Sequence, residues 1–581
     1  MRFLLLAVAA FVLAGTGPAA WAADVHVDPS RDSGCPGSGS ADDPFCSWAS
    51  VRTFTGGNRY LQRRGTLWRG MVLVRPTGTS ATAPLLLGAY GAGAPPRIRV
   101  ENPLPGGLDP ARWRRANGDV WVYDTTDLAE GDPAVLLLDG RRALGKAQVA
   151  GDVCRKLEGA RVEWFQAAGT LSLCSPAGNP AQVFRSISGM QLLRREPRAP
   201  LYLEDARHVV VDGLALEGGR WGALEIRGAS ADIVVRNCVI GLDSASGIHP
   251  QSFTAPGITG LDIHDNVIDS GIRWGRVGYK VAVSGEGVHF NGGVRSSRVH
   301  HNQIVAWSHN GVYLDAARPD APGVNDNLVY ANEFHCGPGS GYFDYCRPFG
   351  VDGAGPGLAR GNVFFDNTMH DFSVRAQING DGNFVVGNRC HSTVNSGARR
   401  NPTGQCFSLQ PYAWSRDNVI ANNTMAGTAD TAVEFRAGRF AVSSGHRVVG
   451  NIMADCGRDA VASRRGACVV IDDDPSVGPV MIAGNIAFNG GRPVTVLYRG
   501  RGAVPFGRLV GRNGDVVERN AEADPLFRDA ATGDFALRVG SPALGAGESF
   551  DVPGLQRLGG TVNIGAGFGP GAPGTGWAVT P

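Results

Sequence analysis

The stretch Leu261-Asp-Ile-His-Asp-Asn-Val-Ile268 decides how this chain is read. Leu261 and Ile263 alternate with polar neighbours, a polar pair ending in Asn266 interrupts them, and Val267-Ile268 resumes the apolar pattern. Alternation at period two marks a strand with one face inside, and the polar pair marks a tight turn. The same arrangement returns as Ile233-Val-Val-Arg-Asn-Cys-Val-Ile240, Ser297-Arg-Val-His-His-Asn-Gln-Ile304 and Asn327-Leu-Val-Tyr-Ala-Asn-Glu-Phe334. It continues through Asn383-Phe-Val-Val-Gly-Asn-Arg-Cys390, Asp417-Asn-Val-Ile-Ala-Asn-Asn-Thr424, His446-Arg-Val-Val-Gly-Asn-Ile-Met453 and Pro479-Val-Met-Ile-Ala-Gly-Asn-Ile486. The spacing varies while the motif persists, as in a solenoid with insertions in its turns. A propeller needs more regular repeats with longer strands. The turn Asn is expected to take the left-handed backbone. Stacked one strand spacing apart, roughly 4.8 Å, these amides are expected to bond up the stack.

A second class of strand precedes the Asn strands. Its members include Ala223-Leu-Glu-Ile-Arg227, Gly287-Val-His-Phe-Asn291, Gly311-Val-Tyr-Leu-Asp315, Phe349-Gly-Val-Asp352, Val374-Arg-Ala-Gln377, Phe407-Ser-Leu-Gln410, Val433-Glu-Phe-Arg436 and Cys468-Val-Val-Ile-Asp472. The sequence therefore predicts an all-β right-handed parallel β-helix. Its expected parts are a signal peptide over 1–22, an N-terminal cap with a small β-rich segment over 23–200, a coil core over 201–504, and an irregular C-terminal cap over 505–581.

Composition agrees with export. Met1-Arg2, an apolar run from Phe3 to Leu13 and Ala20-Trp21-Ala22 read as a cleaved secretory signal, so a secreted or periplasmic protein is expected. The apolar run is too short for a bilayer span. The eleven cysteines form five local pairs, 35/46, 154/174, 336/346, 390/406 and 456/468, with Cys238 left in an apolar strand. Disulfides in an oxidising compartment are the favoured reading, and Cys238 is expected to be a buried thiol. A net charge of +2 gives no reason to expect a nucleic-acid partner. No membrane partner is expected, and a monomer is.

The Asn repeats resemble the pectate-lyase-like right-handed β-helix superfamily. Val25-His-Val-Asp-Pro29 with Asp43-Pro-Phe-Cys-Ser47 is similar to the N-terminal cap of secreted members. Asp524-Pro-Leu-Phe527, Gly533-Asp-Phe-Ala-Leu537, Gly540-Ser-Pro-Ala543 and Asn563-Ile-Gly-Ala566 resemble a common ending, and Trp164 to Pro180 resembles a segment of some glycoside hydrolases of this fold. The resemblance implies a carbohydrate-active protein with a polysaccharide partner. The signature motifs of polygalacturonases, mannuronan epimerases and pectate lyases are absent, so no catalytic residue carries over.

The site must come from register. Aligning the second strand class gives one outward column of Glu225, His289, Tyr313, Gly350, Arg375, Ser408 and Glu434. The other is Arg227, Asn291, Asp315, Asp352, Gln377, Gln410 and Arg436. Asp315 and Asp352 are the expected catalytic pair of a glycoside hydrolase, because stacked carboxylates split their pKa values and lie at glycosidase spacing. His289, Asn291, Tyr313, Arg375, Gln377 and Gln410 are the expected substrate-binding set, and Arg347 and Asp344 are expected to shape one wall. A polysaccharide lyase acting on a uronate is the alternative, with Lys280, His289 or Tyr313 as base. No cofactor is required for hydrolysis; Ca²⁺ held by Asp315 and Asp352 belongs to the lyase reading. A non-catalytic glycan-binding protein is the third reading.

Overall fold

A computed structural model describes residues 21–126, 135–143, 150–157, 160–161, 163–167, 169–190, 199–241, 246–269, 285–305, 307, 309–316, 318–336, 346–394, 404–410, 414–438, 443–460, 466–547, 549, 551–557, 562–565 and 577–579. The signal segment 1–20, Lys280 and Asp344 lie outside the described residues.

Among the described residues the strands build three long sheets of 16, 13 and 13 strands, most coils giving one rung to each. Pairing within them is parallel from rung to rung, as in Ile263↔Val299↔Val329↔Phe364. The inward residues of all three sheets meet in one core. Ile263, Val299 and Val329 come from the first sheet, Ile268, Ile304 and Phe334 from another, and Phe290, Leu314 and Phe349 from the third. Each of these is fully buried, and Phe349 stacks on Phe364 at 4.1 Å. A three-walled core of this length is what period-two alternation in every coil dictates.

The corner carrying the repeated Asn is a hydrogen-bonded ladder. Asn302 Nδ2 donates to Asn332 Oδ1 at 3.0 Å, Asn332 to Asn367 at 3.0 Å, and Asn367 to Asn388 at 2.9 Å. The ladder runs on through Asn423, Asn451 and Asn485 to Asn520. Each ladder amide also satisfies backbone carbonyls that the turn would leave bare, as Asn332 does for Val299 and Tyr330. The left-handed residue is the one before the ladder Asn: Asp265, His301, Ala331 and Asp366 have φ between 51° and 53°. The ladder Asn is thus retained for its amide, not for its backbone. Cys238 takes the first ladder position, where its N–H donates to Asn266 Oδ1 at 2.9 Å. It is a buried free thiol, pushed up to about 12 by burial. The five expected cysteine pairs are disulfides.

Two expected boundaries move. The coils do not start at residue 201. Ala23–Val27 already pairs with Asn58–Arg63, and Val72–Val74 is the rung beneath Leu201–Leu203. Those early coils lack the Asn turn, so the repeat hid them. The described strands between 102 and 190 are antiparallel and surround a separate cluster of Trp113, Tyr123, Trp164 and Leu171. The coils also pass residue 504, since Val516–Glu518 and Ala521–Glu522 add further rungs. The segment beyond folds back on the outer faces, with Val552 and Leu555 against Phe365 and with Leu537 and Ile564 against Ile452.

Candidate functional site

The second strand class forms one of the 13-stranded sheets. Its central rungs are β1 (Leu224–Arg227), β2 (Ser246–Gln251), β3 (Glu286–Asn291), β4 (Asn310–Ala316), β5 (Arg347–Gly353), β6 (Ala376–Ile378), β7 (Phe407–Leu409) and β8 (Val433–Phe435). Register pairs His289↔Tyr313↔Gly350↔Gln377↔Ser408↔Glu434 in one outward column and Gln251↔Asn291↔Asp315↔Asp352 in the next. The expected neighbours Tyr313, Asp315 and Asp352 are therefore brought together, with His289 and Asn291 one rung below.

A third row joins this face at the strand entrances. The Cβ that Gly311 lacks would sit 2.6 Å from Phe334 and 2.5 Å from Pro348 O, so only glycine lets the strand pack this closely on the core and the next rung. The preceding residues then reach the outer face. Glu286 Oε1 accepts from His309 Nδ1 at 2.7 Å, and Arg347 donates to Gln377 Oε1 at 2.6 Å. Arg347 is buried at the entrance of its strand.

Asp352 is the best-connected carboxylate. The Tyr313 hydroxyl donates to Oδ2 at 2.8 Å, and the amides of Gln377 and Asn379 donate to Oδ1 at 3.0 and 2.7 Å. Gly350 makes the first bond possible. A Cβ there would lie 2.7 Å from Asn310 Oδ1 and 3.2 Å from the Tyr313 ring. Burial raises the Asp352 carboxyl; bonds from Asn379 and Tyr313 and the nearby Arg347 only partly oppose it, and Asp315 adds to it. Burial also pushes the Tyr313 phenol well above its ordinary range, reinforced by Asp352 and Asp315.

Asp315 is solvated to a degree, its side chain 17% exposed, and lies 3.5 Å from His289 Nε2. His289 is sandwiched between His249 at 4.9 Å and Tyr313 at 5.1 Å, while His309 meets Tyr313 edge-on at 5.5 Å. Burial holds His249 and His309 well below the usual imidazole range, aided by His289 and by Arg227 and Arg347 respectively. Burial therefore favours the neutral form of both rings.

Two expectations about register are corrected. Gln377 stands in the first column, opposite Gly350, and Asn379 follows it beside Asp352. Arg375 is displaced toward the strand entrance. It pairs with Glu434 at 3.2 Å and hydrogen-bonds Gln410, away from Asp352. The cause is that β6 begins at Ala376, two residues after Val374, the start that alternation indicated. Gln410 accordingly serves Arg375. Sequence reasoning also missed β2 with His249 and Gln251, because its Gly-Ile-His-Pro pattern lacks apolar alternation, and it missed Glu286 and His309 in the entrance row.

Among the described residues, no group of three or more His, Cys, Asp or Glu is arranged to hold a metal ion, and no helix is long and apolar enough to cross a membrane.

No protein-family model and no curated protein matches the chain. Among solved structures it is similar to XylC in complex with xylose, at 15% identity, over 87% of each chain, with a TM-score of 0.50. This chain has the right-handed parallel β-helix fold. The β-helix is also matched to a GH136 lacto-N-biosidase from Eubacterium ramulus (12% identity, 86% of this chain and 68% of that one, TM-score 0.40) and to pectate lyase Pel9A (11%, 94% and 96%, 0.40).

Proposed function

We propose that this β-helix is a secreted carbohydrate-active enzyme that hydrolyses glycosidic bonds of a polysaccharide with Asp315 and Asp352. The observation that carries the reading is the pairing of two carboxylates on neighbouring rungs in unlike surroundings. Asp352 is raised by burial and suits a general acid; Asp315, beside His289, suits a nucleophile. Strands about 4.8 Å apart bring the pair near the separation of retaining glycosidases. In the first step Asp315 forms a bond to the anomeric carbon as the glycosidic bond breaks, and Asp352 gives its proton to the departing oxygen. Water then attacks the glycosyl-enzyme, Asp352 takes a proton from it, and Asp315 is released.

Elimination finds less support. A phenol held as high as Tyr313 donates to Asp352 and does not serve as base, which leaves His289 among the described candidates. A calcium ion on Asp315 and Asp352 meets a carboxylate already taken up by two amides and a phenol. The hydrolysis reading needs no cofactor. The five disulfides support an oxidising, extracellular setting.

The test is incubation with a panel of polysaccharides, following reducing ends and the ultraviolet absorbance of unsaturated uronate together. Reducing ends without absorbance, lost in Asp315→Asn and Asp352→Asn, are expected. Both signals together indicate a lyase, and binding without product indicates a non-catalytic glycan-binding protein.

A further inference from the structure

The second outward column does not end at the carboxylates. It continues down the sheet as Asp315↔Asn291↔Gln251↔Arg227, one residue per rung. All of these side chains are half-buried, with part of each open to solvent. The rung spacing, roughly 4.8 Å, is close to the length of one sugar ring in an extended chain. A row of amides and a guanidinium at that pitch offers hydrogen-bond donors and acceptors to successive sugars.

His249 stands between two members of the row. Its Nδ1 lies 3.4 Å from an Arg227 amino group and its Nε2 lies 3.3 Å from Asn291 Nδ2. The same ring stacks on His289, which faces Asp315. A neutral imidazole accepts at one nitrogen only, so His249 holds one of these two donors in place before any ligand arrives, which lowers the ordering cost of binding there.

Charge selects the ligand. Arg227 is bound to Glu225 at 2.7 Å, and Arg375 to Glu434 at 3.2 Å. Among the described residues of these rungs, Arg347 then stands against Glu286, Asp315 and Asp352. Among the described strand residues of these rungs there is no surplus of positive charge for a polyanion, and a uronate chain meets repulsion near the carboxylates.

We propose that Asn291, Gln251 and Arg227, with His249 beside them, form a binding row for an uncharged glycan that extends from the Asp315–Asp352 pair toward the N-terminal end of the sheet. The substrate class rests on the hydrolysis reading above; the binding row does not need turnover.

Affinity electrophoresis of the full chain separates the two. The probes are gels containing xylan, galactan or β-glucan, and gels containing alginate or polygalacturonate. Retardation is expected in at least one neutral gel, insensitive to salt, and in neither acidic gel. Gln251→Ala and Asn291→Ala are expected to weaken that retardation about 5- to 10-fold each, the value of one hydrogen bond or slightly more. An unchanged thermal midpoint for Gln251→Ala shows that the effect is on binding. Retardation by an acidic polymer, no retardation in any gel, or full retardation of both variants overturns the proposal. If Asp352→Asn abolishes turnover while both row variants bind as wild type does, the row falls and hydrolysis stands. If Asp352→Asn stays active while Gln251→Ala loses binding, hydrolysis at this pair falls and the row stands.

Discussion

The Tyr313 hydroxyl donates a 2.8 Å hydrogen bond to Oδ2 of Asp352, across two adjacent rungs. That bond holds the Asp352 carboxyl lower than burial alone would. Removing it by Tyr313→Phe therefore raises the carboxyl further. An acid must be protonated to act, so the alkaline limb of the pH–rate profile is expected to move to higher pH in this variant. Asp352→Asn is expected to cost about 10³-fold in kcat, the usual scale for a general acid. The two pH profiles and rates check both; an unmoved alkaline limb removes Asp352 from the acid role.

Stereochemistry is the second expectation. Adjacent-rung carboxylates leave no room for a water between attacking group and sugar, so products should keep the anomeric configuration of the substrate. Proton NMR of the first-formed product reads this within minutes of mixing. Inversion would place the nucleophilic role elsewhere on the face.

The donor set around Asp352 makes a third expectation. Dialysis against EDTA should leave activity unchanged, and added Ca²⁺ should not raise it, because the carboxylate oxygens are already bonded to Tyr313, Gln377 and Asn379. Loss of rate on chelation, restored by Ca²⁺, would revive the lyase reading.

Acid sensitivity is expected from His446. It replaces an asparagine in a second ladder, where its Nδ1 accepts from Asn418 N at 3.2 Å and its Nε2 is 2.7 Å from Ser443 Oγ. Burial lowers its pKa to about 3. Between that value and the ordinary imidazole value near 6.5, the unfolded chain binds a proton that the folded chain does not. Stability should thus fall as pH drops from 7 toward 3, with a slope from this residue of up to about 1.4 kcal/mol per pH unit. His446→Asn keeps an acceptor for Asn418 N and should flatten that slope, as read by urea midpoints across pH.

Asn388 tests the main ladder. It donates to Phe364 O, Val386 O and Asn423 Oδ1 at 2.9 to 3.2 Å and accepts from both the backbone and the side chain of Asn367. Asn388→Ala strands several buried groups and should cost about 3 to 5 kcal/mol. Coils interact mainly with neighbours, so hydrogen exchange should quicken first at the amides of Asn367 and Asn423.

How much of this was legible in the sequence follows from which signals are local. The Asn motif announced the coils because each turn must satisfy its own buried backbone, and asparagine does so at one position. Cysteine pairs were legible because each closes a short loop. The pair Asp315↔Asp352 was legible because both close long, cleanly alternating strands. Gln377 was misplaced by two residues because β6 is short and the side chains before it belong to a turn. His249, Glu286 and His309 escaped because their places depend on glycine-tightened entrances and on a strand whose core contact is Ile248, with little alternation to show it. The coils before residue 102 escaped because their turns are built without asparagine.

The ladder has a consequence for how such a chain can change. Asn266 and Asn302 are 36 residues apart and Asn367 and Asn388 are 21 apart, yet each pair is joined by the same 2.9 Å bond. The amide counts turns and ignores contour length. Residues added between two ladder positions are therefore pushed outward at the corners, leaving the vertical pitch of the rungs untouched. A lineage can rewrite the rim of the face at will and still keep the same step from rung to rung.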